Sequence, residues 1–79
     1  MKQDRFTTLD LYLSAYIDLN GIQPDLENNS GRVVFTFPQS DELHKLINAY
    51  NANATVPVTD YISVLKSLRG RMLTKRGQP

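Results

Sequence analysis

The sequence predicts a small α+β domain, with elements in the order α-β-β-α-α and a two- or three-stranded antiparallel sheet packed against the helices. Three observations carry that reading. Apolar residues recur at three- and four-residue spacing in three separate stretches, the mark of amphipathic helices. Residues 32–37 (Arg-Val-Val-Phe-Thr-Phe) are instead rich in β-branched and aromatic side chains, as strands are. The chain has 79 residues, enough for one core and too few for a second. One domain is expected over residues 1–79, ordered from about residue 5 to residue 75.

The first helix is expected over residues 8–20. Thr7 and Asp10 stand at the two ends of a capping box, each offering an acceptor to an orphaned backbone N–H. Phe6 and Leu11 occupy the positions of a hydrophobic staple around it. Leu9, Tyr12, Leu13, Tyr16 and Leu19 form the apolar stripe. Asn20-Gly21 ends the helix, the glycine supplying a left-handed residue, and Ile22 is placed to pack back on Ile17.

A hairpin follows. In residues 32–37, Val33, Phe35 and Phe37 share one face and Val34 and Thr36 the other. The partner strand is read at residues 22–27, with Ile22, Pro24 and Leu26 on one face. Asn28-Asn29-Ser30-Gly31 joins the two with residues that tolerate positive φ. Pro24 cannot donate to a ladder, so its strand belongs at an edge. Residues 3–6 are a weak candidate for a third strand.

Ser40 caps the second helix, with Asp41 and Glu42 facing the positive end of its dipole. Leu43, Leu46, Ile47 and Tyr50 make its stripe. The run Asn51-Ala52-Asn53-Ala54 reads as a loop, and Val56 before Pro57 is held extended. Thr59 is the expected cap of the third helix, and Tyr61, Leu65, Leu68 and Met72 its stripe. Residues 77–79 read as a frayed end.

Catalysis finds little support. With no cysteine, disulfides, thiol nucleophiles and thiolate zinc sites are all excluded. His44 has no second histidine with which to hold a metal. Asp41 and Glu42 diverge by about 100° on a helix and cannot share one proton. The four glycines are scattered, so no phosphate-cradling loop exists, and no serine has an activating base beside it. We expect no enzyme and no cofactor. Nor does any apolar run approach the ~18 residues that span a bilayer, and no signal-type segment opens the chain. A cytoplasmic protein with no membrane partner is expected.

Charge is nearly balanced in sum, at +1, but not in placement. The first 31 residues hold five acids and two bases, whereas no acid follows Asp60. Lys66, Arg69, Arg71, Lys75 and Arg76 bring five cations within eleven residues. Such a cluster attracts phosphate, although cations near a helix C-terminus also stabilise the helix itself. On a helical wheel Lys66, Arg69 and Arg76 flank one edge of the apolar stripe, and Arg71 and Lys75 flank the other. The face opposite carries Ser63, Ser67, Gly70 and Thr74, small enough to seat a partner helix or a second copy of the chain. Gly70 has a rival role as the end of the helix, since a mid-helix glycine costs about 1 kcal/mol. In that case residues 71–76 would be a basic tail. Phe35 and Phe37 beside Arg32 could stack on bases, but theirs is the hairpin's one apolar face and is needed for the core.

The blocks Phe6-Thr7-Thr8-Leu9-Asp10-Leu11-Tyr12-Leu13 and Gly31-Arg32-Val33-Val34-Phe35-Thr36-Phe37, followed by the Leu-Lys-x-Leu-Arg-x-Arg-Met run ending at Met72, carry a resemblance. The chain resembles, from about residue 5 to residue 75, a family of short bacterial and phage-associated proteins classed as a domain of unknown function. The resemblance implies a stand-alone small domain and transfers no catalytic residue. From the residues themselves we expect a non-enzymatic binding or adaptor domain that contacts nucleic-acid phosphates through Lys66, Arg69, Arg71, Lys75 and Arg76. The alternative is a protein-interaction or homodimerisation module built on Ser63, Ser67 and Gly70.

Overall fold

The computed structural model describes residues 5–77. Its elements are β1 (Arg5–Thr8), α1 (Leu11–Leu19), β2 (Asp25–Asn29), β3 (Arg32–Pro38), α2 (Asp41–Asn51) and α3 (Val58–Arg76). The class is α+β as expected, with a strand added before the first helix. The sheet is antiparallel in the order β1-β3-β2, so the most apolar strand is central and β2 lies at an edge.

Where the capping box was expected, the chain is extended instead. Thr7 and Thr8 pair with Thr36 and Phe35 of β3, while Phe6 sits opposite Phe37 with ring centroids 6.4 Å apart. Two β-branched residues beside an open strand edge gain a ladder there that a helical turn would forfeit. Asp10 becomes the N-cap in its own right, its Oδ1 accepting from Tyr12 N at 3.0 Å and Leu13 N at 3.1 Å. The third strand thus lies two residues later than residues 3–6, of which residues 3 and 4 fall outside the described part.

The hairpin is tighter than read. β2 begins after Pro24, and Asn29 pairs with Arg32, leaving a two-residue loop. Ser30 and Gly31 there have φ of 57° and 86°, the positive values that a primed turn demands. Asn28 Oδ1 secures the loop by accepting from Gly31 N at 2.8 Å.

Phe35 and Phe37 build the core with Leu13, Ala15, Ile17, Leu43 and Leu68, and Val33, on the same face of β3, is buried as well. The opposite face of β3 is covered as well. Arg5 of β1 stretches across Thr36, donating to its Oγ1 from Nε at 3.2 Å, and reaches Asp25 Oδ2 of β2 at 2.9 Å. The methylenes of a long cation can shield a strand in this way while its head stays polar.

In α1 the expected stripe is displaced. Residues 13–17 are all buried, whereas Leu9 and Tyr12 are 53% and 52% exposed. Because both α2 and α3 pack on α1, burial wraps around it instead of following one stripe. Ser14, buried among them, donates its hydroxyl to Asp10 O at 2.8 Å, so no polar group is stranded. Gly21, at φ 104°, ends the turn after α1 in the left-handed region as expected, and Ile22 N donates to Ile17 O at 3.3 Å.

Ser40 caps α2 as expected, accepting from Leu43 N at 3.0 Å. Thr59 does not cap α3. Pro57 is the N-cap, with no side-chain hydrogen bond, and Thr59 lies inside the first turn. Pro57 O accepts from Tyr61 N at 2.9 Å. Nor does Gly70 end the helix, which runs to Arg76 through it. Leu68 and Met72 on either side both reach the core, and their packing outweighs the local cost of glycine.

That site offers a direct check. A Cβ at Gly70 would meet nothing within 4 Å, and the backbone there is ordinary helix. Gly70→Ala is expected to stabilise the domain by about 1 kcal/mol, raising Tm by roughly 4–8 °C for a chain of this size. A thermal melt followed by circular dichroism reads it. An unchanged or lowered Tm would mean that the last turns of α3 do not persist in solution.

Candidate anion-binding groove

One groove, of about 750 Å³, runs between α3 and the open edge of β2. Its α3 wall consists of Lys66, Ser67, Gly70, Arg71, Thr74 and Lys75, and Asp25 and Leu26 form the β2 side. Three of these wall residues are small and three are cationic. Their grouping follows from helical spacing, since Ser67, Gly70 and Thr74 stack along one face with Lys66 and Arg71 on either side of it. The two features kept apart in the sequence, cation cluster and small-residue strip, therefore belong to one surface.

Not every predicted residue enters it. Lys66, Arg71 and Lys75 converge on the groove with Ser67 and Gly70, whereas Arg69, Arg76 and Ser63 are exposed on α3 outside its lining. The β2 contribution was missed. Asn28, assigned only to the turn, also donates its Nδ2 to Lys75 O at 3.0 Å and so ties the end of α3 to the edge strand. Orphan carbonyls at a helix C-terminus need such a partner. A donor 47 positions away leaves no local trace in the sequence.

Electrostatically the α3 wall is open. Among the described residues the one ion pair within 4 Å joins Arg5 to Asp25. No carboxylate of the described residues comes that close to the five α3 cations. Asp25 at the groove wall is thus already matched by Arg5, leaving the groove's balance positive. Arg71 does act at longer range on Asp18, near the end of α1. Burial raises the Asp18 carboxyl above its usual value, and the Arg71 charge offsets part of that rise.

The sign of that shift makes a prediction. A raised folded pKa means the folded chain holds the proton more tightly, so stability falls as pH climbs through and above the ordinary carboxylate range. Asp18 also meets the negative end of its helix dipole, with no basic residue in that last turn. Asp18→Asn is expected to stabilise at pH 7, by about 0.3–1 kcal/mol from the dipole alone. The gain should shrink toward acidic pH as the native carboxyl protonates. Urea midpoints at pH 7 and pH 4 test it, and a loss of stability at pH 7 would show Arg71 attraction to be the larger effect.

Other chemistry is sparse. No group of three His, Cys, Asp or Glu side chains among the described residues could hold a metal ion, and His44 is exposed on α2. No helix among them is long and apolar enough to cross a membrane.

Comparison with known proteins returns a family but no characterised relative. No curated protein and no solved structure matches the chain. The model of one family, described as a domain of unknown function (DUF5659), matches residues 3–74, from β1 into α3 as far as Thr74 and short of Lys75 and Arg76. The chain belongs to that family.

Proposed function

We propose that this domain is a non-enzymatic, cytoplasmic binding module that holds nucleic-acid phosphates against α3. Lys66, Arg71 and Lys75 make the contacts in the groove, and Arg69 and Arg76 extend the positive surface along the same helix. One observation carries the reading: the three cations line the groove together with Ser67, Gly70 and Thr74 and, among the described residues, have no carboxylate within ion-pair distance. A cation already paired must break that pair to meet a phosphate, whereas these need only shed water and counterions. Ser67, Gly70 and Thr74 let a sugar–phosphate backbone approach closely, and the Ser67 and Thr74 hydroxyls can contact it. No aromatic ring lines the groove, so base stacking contributes nothing there and binding is indifferent to sequence.

Fluorescence anisotropy against mixed DNA and RNA at two salt concentrations tests the reading. Affinity is expected to fall steeply with salt, each neutralised duplex phosphate adding about 0.9 to the log–log slope. Absence of binding at low salt ends the proposal.

A second reading rests on a separate observation. Ser63, Ser67, Gly70 and Thr74 are all exposed along one continuous face of the 19-residue α3, a surface on which a partner protein or a second copy could pack. Complex formation through it would barely respond to salt, and sedimentation would report a dimer.

A further inference from the structure

A second cavity, of about 430 Å³, opens at the other end of α3 and has no part in the groove. Each of the three helices gives it one tyrosine: Tyr16 from α1, Tyr50 from α2 and Tyr61 from α3. Asn51 at the end of α2 and Asn53, Ala54 and Val56 of the loop after it complete the wall. Among the described residues no lysine or arginine lines it. We propose that this three-tyrosine cavity binds an alkylated ammonium group, such as that of a quaternary amine or a methylated lysine.

The rings are held before any ligand arrives. Tyr16 is buried in α1 and packs on Tyr50, with centroids 5.7 Å apart and planes inclined at 52°. The Tyr61 hydroxyl donates to Tyr12 O at 2.8 Å, which fixes that side chain against α1. Preorganised rings lose little freedom on binding, and their negative faces attract a cation within about 6 Å of the centroid. An ammonium bearing alkyl groups sheds its hydration easily and presents apolar surface to such rings, which a bare ammonium does not.

The field in the cavity has the same sign. Asp10 caps α1 through Tyr12 N, and Tyr12 O holds Tyr61, so one residue links the carboxylate to the cavity wall. Burial, followed by the charge of Asp10, raises the Tyr50 phenol above its usual value. Tyr61 is raised first by burial, then by Tyr50 and Asp10. The Asp10 charge favours a cation over an anion here, and a neutral ring would gain nothing from it. A cation gains from both the rings and the carboxylate.

The test titrates the full chain with choline chloride and with 3,3-dimethyl-1-butanol, its neutral carbon isostere, at matched ionic strength. Amide and aromatic NMR shifts of Tyr16, Tyr50 and Tyr61 give the readout. Choline is expected to saturate these shifts in the millimolar range and to bind at least roughly fivefold more tightly than the isostere. Tyr50→Phe should keep the affinity, because the ring face and not the hydroxyl makes the contact. Tyr50→Leu should lose about tenfold. Asp10→Asn, which keeps a good N-cap, should weaken choline but not the isostere. Equal affinity for the two ligands would overturn the proposal, as would choline binding unmoved by Tyr50→Leu or no shift at tens of millimolar. The choline–isostere comparison needs no variant and decides the matter even if Tyr50→Leu unfolds. Because the groove lies elsewhere, failure here leaves the phosphate reading standing, and the reverse holds too.

Discussion

Phe35→Ala is expected to remove most of the stability of the domain. Phe35 sits in the middle of the central strand, flanked by Thr8 of β1 and Leu26 of β2, and is fully buried against the helices. Truncating a buried phenylalanine to alanine costs about 3–5 kcal/mol, the lost transfer free energy plus that of the cavity left behind. The cavity cannot close easily here, because a ladder on each side holds β3 in place. At roughly 0.05–0.15 kcal/mol per residue, a chain of this length has a margin of about 4–12 kcal/mol, and small domains lie toward the low end because they bury less of their surface. Urea denaturation followed by circular dichroism should show the midpoint collapsing, with a large unfolded fraction near 37 °C. Leu9→Ala is the matched control. Leu9 was expected on the apolar stripe but is exposed, and its truncation should change stability by no more than about 0.5 kcal/mol. A Phe35→Ala cost below about 1 kcal/mol, or a Leu9→Ala cost above it, would mean that the helices do not cover the sheet as described.

The contrast between those two residues shows where the sequence was legible. Phe35 alternates with Val33 and Phe37, and an alternation on one strand fixes its faces without reference to the rest of the fold. Leu9 fits a helical period equally well, but Thr7 and Thr8 before it could serve as cap or as strand. The free edge of β3, contributed by residues nearly thirty positions later, decided the matter. Ser40 was read correctly because its cap closes within three residues. Thr59 was misread because Pro57, with φ already near the helical value, could start α3 two residues sooner. Gly70 was a contest between a local cost and distant packing, and the burial of Leu68 settled it.

The candidate site divides along the same line. Helical spacing alone placed Ser67 and Gly70 between Lys66 and Arg71, and that half of the groove is where the wheel put it. The other half depends on β2 reaching α3, through Asn28 holding the Lys75 carbonyl, and no local pattern encodes that contact. The tyrosine cavity is less legible still. Tyr16, Tyr50 and Tyr61 lie on three helices and each fits its own apolar stripe, so nothing in their spacing tells a packed core from a cavity wall. Burial patterns reveal which faces turn inward, and only the tertiary arrangement shows where the inward faces fail to meet.

Replacing Lys66, Arg71 and Lys75 together by glutamine should cost nucleic-acid affinity far more than it costs stability. Among the described residues the three cations are in no ion pair within 4 Å, so their removal strands no buried charge there, and surface substitutions of this kind shift stability by about 0.5 kcal/mol or less. Arg71 partly offsets the burial of Asp18, which makes a small loss at neutral pH the expected direction. Binding should respond differently. If each cation neutralises one duplex phosphate, the triple variant lowers the salt slope by about 2.7 and weakens low-salt binding about a hundredfold or more. Net charge alone could imitate part of that loss, so the comparison needs cations removed elsewhere. Arg32→Gln with Lys45→Gln takes two exposed positive charges from β3 and α2 and leaves the groove intact. Per charge removed, the groove variant should lose several times more affinity than this pair, and its slope should fall where that of the pair barely moves. Equal losses per charge would show that the chain attracts nucleic acid as a diffuse cation. The groove between α3 and β2 would then have no role in binding it.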